Sequence, residues 1–193
     1  MNEQPLTPEE KKLLLQLARQ AIEAAVNGLS PPAIDQAQLS PRLLEPGASF
    51  VTLTEPDGEL RGCIGALEAY QPLVDDVREH AAAAALEDYR FSPVRSGEAS
   101  HLHIEISCLS APQPLVYGDP AELLACLRPN VDGVVLRDGF HRATFLPQVW
   151  EKLPDGEEFL AHLCQKMGAP ANLWRKKKLQ VFTYQVEQFD EER

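Results

Sequence analysis

A chain of 193 residues that is 44% hydrophobic and 24% charged suits one globular domain, or two closely joined subdomains around a substantial core. Its net charge of −11 disfavours broad binding to nucleic acid or an anionic membrane, both of which call for a basic footprint. Cys63, Cys108, Cys126 and Cys164 form no C-x-x-C pair, which excludes a disulfide framework and a zinc-ribbon spacing.

The N-terminus is polar and then amphipathic, with no secretory or membrane-length apolar run, so the expected setting is the cytoplasm. Thr7-Pro8-Glu9-Glu10 is a capping box. Leu14, Leu17, Ala18, Ala21, Ile22 and Ala25 then recur at helical spacing up to Asn27-Gly28. Residues 29–47 are proline-rich and predict an ordered surface loop.

Ala48–Thr54 reads as a strand, Glu55-Pro56-Asp57-Gly58 as a turn, and Leu60–Gly65 as the returning strand. A four-residue loop would set Leu53 against Leu60, Val51 against Gly62, Phe50 against Cys63 and Thr52 against Arg61. Val51, Leu53, Leu60 and Ile64 would then meet the core, and Thr52, Thr54, Glu59, Arg61 and Cys63 would face a wet surface or cleft.

A helix is expected over residues 72–87 with Leu73, Val77, Ala81, Ala84 and Ala85 inward, its alanines allowing close packing. Leu102–Leu109 alternates as a strand, with His103, Glu105 and Ser107 on its polar face. A second capping box at Asp119 starts a short helix, and Asp138-Gly139 turns a hairpin over residues 131–145. Asp155 caps a helix that Gly168 ends. Residues 170–178 make one more short helix, its Arg175–Lys178 run a solvated end, and residues 179–187 a closing strand before a frayed acidic tail. Hairpins with helices between them argue for an α+β fold on largely antiparallel sheet.

Chemistry concentrates in Leu60-Arg61-Gly62-Cys63-Ile64-Gly65. An arginine beside a cysteine favours the thiolate, the form that attacks electrophiles. The plainer reading is a small buried cysteine between glycines where two backbones pass closely. If the His103 strand joins the same sheet, Cys63, His103 and Glu105 would supply nucleophile, base and orienting carboxylate, with a solvated sheet face as the alternative. Arg61, Gly62, Gly65, Arg90 and Thr144 are the candidate ligand-binding residues, although the planar fork of Arg90 suits a salt bridge equally. No His, Cys, Asp or Glu spacing asks for a metal, and no glycine-rich phosphate loop or other cofactor motif is present.

The hexapeptide stands beside other blocks: Ala85–Phe91 with Pro93, Ile104–Ser107, Gly133–Leu136, Arg142–Val149, and Leu163-Cys164 with Lys166 and Gly168. In this order they resemble the AMME chromosomal region gene 1 protein family, which includes component A of AmmeMemoRadiSam systems. The resemblance runs from about Phe50 to Val186. It implies one domain of two interlocked α+β subdomains with a cleft between them, and no settled activity. It further implies cooperation with radical-SAM and Memo-type proteins. The lack of a complete catalytic motif favours a binding or accessory role that takes an unidentified small molecule or a partner. An enzyme using Cys63 as an Arg61-activated nucleophile is the runner-up.

Overall fold

The computed structural model describes residues 5–191 and gives an α+β fold. It divides into two compact units. The first holds the chain up to Leu109 and resumes at Glu187, and the second is Ser110–Val186. These junctions supply the boundary that the sequence left unplaced.

In the first unit, α1 (Pro8–Val26) starts on the Thr7/Glu10 capping box and buries Leu14, Leu17, Ala18, Ala21 and Ile22. The expected loop over residues 29–47 carries more structure than its prolines advertise. A short α2 (Pro41–Leu44) buries Leu43, and β1 (Pro46–Thr54) begins two residues early. β2 (Leu60–Gly65), β3 (Gln71–Pro72), α3 (Leu73–Leu86), α4 (Ser96–Ala99) and β4 (His103–Leu109) follow.

The sheet of this unit runs β2-β1-β4 and ends on a strand from the far end of the chain, β9 (Val186–Asp190). Val51, Leu53, Ile104, Ile106 and Phe189 leave one face of the sheet for a core shared with α1 and α3. The acidic tail is not frayed up to Glu191. Phe189 is buried, and the Glu191 carboxylate holds Arg19 and the Ile104 N–H.

The second unit carries β5 (Gln113–Leu115), α5 (Pro120–Cys126), β6 (Gly133–Asp138), β7 (His141–Phe145), α6 (Gly156–Lys166), α7 (Leu173–Lys176) and β8 (Gln180–Tyr184). Its antiparallel sheet has the order β5-β8-β6-β7. Trp150 stacks on Phe159 at 3.7 Å between ring centroids, inside a core with Val134, Leu136, Leu160 and Leu163. The single closing strand expected over residues 179–187 is two strands, β8 and β9, in different sheets. The hand-over falls at Gln185, whose N–H donates to Ser110 Oγ while its carbonyl accepts from the Ser110 N–H, both at 2.9 Å.

Candidate functional site

The register of the first hairpin decides what Cys63 faces. β1 pairs with β2 as Phe50–Gly65, Val51–Ile64, Thr52–Cys63 and Leu53–Gly62, and then shifts to Thr54–Leu60. This is two residues away from the register a plain four-residue loop gives, one residue because the loop spans residues 55–59 and one because Arg61 is an extra residue in a bulge. An even slip preserves the faces, so Val51, Leu53 and Ile64 still point to the core and Cys63 away from it. Beyond the bulge the parity changes, and Leu60 lies at the surface instead of in the core.

β4 continues the pattern with Thr52 opposite Glu105, Thr54 opposite His103 and Phe50 opposite Ser107. Opposed residues point to the same side of a sheet, so Cys63, Thr52 and Glu105 form a row across three strands. All three are half-buried. Thr52 Oγ1 donates to Cys63 Sγ at 3.3 Å. The Glu105 carboxylate makes no hydrogen bond or ion pair among the described residues. His103 shares this face one step along, but its Nε2 lies 2.9 Å from Asp190 Oδ2.

Two strand spacings separate Cys63 from Glu105, about 10 Å between backbones, with Thr52 between them. The sequence-derived nucleophile–base contact between Cys63 and His103 is therefore not made. The sulfur meets a hydroxyl, and the imidazole meets a carboxylate on the opposite edge strand.

The arginine beside Cys63 is Arg90. β2 is an edge strand, and residue 63 turns its backbone N–H and carbonyl outward. The buried Asp88 accepts the Cys63 N–H at 2.8 Å, and Arg90 Nη2 donates to the Cys63 carbonyl at 3.4 Å. Asp88 also holds Arg90 through Nε at 2.9 Å and Nη2 at 2.6 Å. These bonds keep the Asp88 carboxyl well below the usual carboxylate range, the Arg90 guanidinium contributing most. The clamp closes the exposed edge of β2 as a further strand would. Arg90 makes the salt bridge that its planar fork suits, with its side chain 43% exposed.

Arg61 turns elsewhere. Its Nε bonds Glu98 Oε1 and lies 3.6 Å from Glu55, and its Nη2 donates to the Ser92 carbonyl at 2.9 Å. The Arg61 side chain is 13% exposed, and its hydrogen bonds among the described residues go to Glu98 and the Ser92 carbonyl and not to Cys63. The Arg61 bond in turn pulls the Glu98 carboxyl down. Gly62 and Gly65 also serve the fold. A Cβ on Gly62 would lie 2.2 Å from the Ala84 carbonyl oxygen, and one on Gly65 2.4 Å from the Phe50 ring and the Ser49 carbonyl. Thr144 belongs to the second unit, where its hydroxyl meets Tyr184 Oη at 3.1 Å.

Sequence reasoning missed a buried polar tie. Ser49 Oγ donates to Asp76 Oδ2 at 2.6 Å, and His80 Nδ1 lies 3.1 Å from the same oxygen. Asp76 is fully buried, and its Oδ1 has no partner among the described residues. The Asp76/His80 spacing of four on a helix was the available signal. The order is wrong for a nucleophile, because the serine bonds the carboxylate and not the imidazole that would take its proton. Cys108, opposite Ser49, is an inert core thiol pushed up to about 12 by burial. No three His, Cys, Asp or Glu side chains among the described residues are placed to hold a metal ion. No helix among them is long and apolar enough to cross a membrane.

The AMMECR1 family model matches residues 15–189. A curated protein of Methanothermobacter thermautotrophicus is 36% identical over 189 residues, covering 97% of each chain. Protein MJ0810 of Methanocaldococcus jannaschii is 36% identical, covering 96% of this chain and 92% of its own. The crystal structure of uncharacterized protein PH0010 from Pyrococcus horikoshii matches with a TM-score of 0.80 at 33% identity, covering 97% of this chain and 94% of that one. None of these names states an activity. Extent and identity together show that the chain belongs to the AMMECR1 family.

Proposed function

We propose that the chain is an accessory binding protein that takes a small molecule, or a segment of a partner, on the outer face of its first sheet at Cys63, Thr52 and Glu105. The radical-SAM and Memo-type proteins implied by the resemblance are the proposed partners. One observation carries this reading. Arg61, Asp88, Arg90 and His103 all spend their charge or hydrogen bonds within the chain, whereas the half-buried Glu105 carboxylate does not. A carboxylate held part-way out of water without a donor favours an occupant that brings one. The occupant therefore carries a protonated amine or an N–H group where it meets Glu105.

Charge-selective thiol reagents test this. A cationic methanethiosulfonate modifies Cys63 faster than an anionic one, read by peptide mass spectrometry. Glu105→Gln lowers that preference by roughly fourfold or more, because removing a unit charge about 10 Å away shifts the two reagents in opposite directions by at least about 0.4 kcal/mol each. The same variant leaves the unfolding midpoint within about 0.5 kcal/mol of wild type, because no intramolecular bond is lost. An unchanged reagent preference would remove Glu105 from the site.

A nucleophilic Cys63 is the second reading, favoured by the Thr52 hydroxyl directed at its sulfur. It predicts rapid alkylation by iodoacetamide well below the reference thiol pKa of about 8.5. Alkylation that follows an ordinary thiol titration leaves the binding role alone.

A further inference from the structure

An aromatic side chain stands beside the Cys63 row and outside the core. Phe50 lies opposite Gly65 on β2 and Ser107 on β4, so it shares the face of Cys63, Thr52 and Glu105. It is half-buried and belongs to neither hydrophobic core. No other aromatic ring stacks on it among the described residues. What seats it is the second glycine of the hexapeptide. A Cβ on Gly65 would come 2.4 Å from Phe50 Cγ and 2.5 Å from Cδ1, so the ring rests on the bare backbone of the edge strand. Phe50–Gly65 and Thr52–Cys63 are successive pairs on one side of the hairpin, which puts the ring next to the thiol.

The face is sheltered but not closed. Ser107 is buried and floors it, whereas Phe50, Thr52, Cys63 and Glu105 each keep part of their surface in solvent. An apolar element and a charged one are set apart on it. The ring leans over β2, and Glu105 stands on β4, with β1 between them. As diagonal neighbours across a strand pair, Phe50 and Glu105 are about 7–8 Å apart. A phenyl face takes another ring or the carbons beside a cation, and a carboxylate without a donor takes an N–H that carries charge. The net charge of −11 favours a cation over a neutral donor.

We propose that this face binds an aryl-alkyl amine, with the ligand's ring on Phe50 and its ammonium donating to the Glu105 carboxylate across Thr52. The span selects the length. A ring joined through two carbons to nitrogen puts that nitrogen about 5 Å from the ring centre, and the N–H···O contact adds about 3 Å. Both contacts then form without stretching either side chain. The Phe50 ring is already seated on Gly65, so little freedom is lost when the ligand covers it. The proposal rests on the reading given for Glu105 and adds the aromatic half of the ligand to it.

NMR titration of the full chain with phenethylamine, n-butylamine and phenethyl alcohol tests the site. Phenethylamine binds about tenfold more tightly than butylamine, which lacks the ring, and than phenethyl alcohol, which lacks the charge. Phe50→Leu keeps an apolar cover on Gly65, weakens phenethylamine about fivefold and leaves butylamine unchanged. If Phe50→Leu loses ellipticity, intermolecular NOEs between the phenethylamine ring and the Phe50 ring of the wild type answer the same question. An aryl-alkyl amine exists both as a free small molecule and as the amino-terminal residue of a chain. The amide of the dipeptide Phe-Gly, titrated beside phenethylamine, separates the two, and the tighter ligand names the source. The proposal fails if no amine binds at millimolar concentration, if phenethylamine and butylamine bind alike, or if Phe50→Leu binds phenethylamine, or the wild-type NOEs are absent, as they would be without the ring contact. Those failures leave Glu105 to the reagent preference at Cys63, which does not involve Phe50. Phenethylamine bound equally by wild type and Glu105→Gln overturns both.

Discussion

Gly62→Ala destabilises the chain by about 3 kcal/mol, seen as a fall of roughly 10 °C in Tm. The added methyl would stand 2.2 Å from the Ala84 carbonyl oxygen and 3.1 Å from its carbon. Both are backbone atoms of α3, so no flexible side chain can swing aside. β2 or the helix must move, and Val77, Ala81, Ala84 and Ala85 are packed into the same core. Gly97→Ala is the matched control. Nothing lies within 4 Å of its Cβ, and the residue is helical, so Tm is unchanged or slightly raised. A Gly62→Ala variant melting within about 2 °C of wild type would show that α3 and β2 are not in the contact that the signature glycine implies.

That contact shows what the sequence could and could not disclose. Glycine in a strand beside a cysteine reads equally as a ligand's approach or a helix's approach. The alanine run 81–85 was the hint that the neighbour is a helix, but the pairing is a long-range fact. The faces of β1, β2 and β4 were legible because alternation survives an even slip in register. The bulge at Arg61 was not, since one extra residue leaves no mark in the pattern.

Cys63 and Glu105 were found because period two placed them on polar faces. Asp88 was passed over because its partners are the backbone of residue 63 and an arginine two positions on, and no spacing rule describes such a clamp. The crossing at Gln185 was hidden because residues 179–187 remain strand-like through it. What redirects the chain there is a pair of bonds to Ser110, 75 residues away.

Asp88→Asn lowers stability at neutral pH by about 2 kcal/mol, read from urea denaturation. The amide keeps one acceptor, but it presents N–H where the Cys63 N–H and the Arg90 guanidinium also present donors. The loss stays below that of a fully buried ion pair because the Arg90 side chain is 43% exposed and water takes over part of its solvation. The pH dependence identifies the residue. The folded Asp88 pKa lies below its unfolded value, so its contribution is complete above the unfolded carboxylate pKa of about 4. As pH falls below that value the unfolded chain takes up the proton first, binds more protons than the folded one, and stability declines. The gap between wild type and Asp88→Asn is therefore constant from neutrality to about pH 5 and narrows steadily below it. Glu10, Glu79 and Glu98, also depressed in the fold, titrate in both proteins and cancel in the difference. With the clamp gone, the edge of β2 loosens and Cys63 is alkylated faster at pH 7. A gap that stays the same width down to pH 3, or Cys63 labelling that does not change, would mean that Asp88 does not hold the strand carrying the thiol.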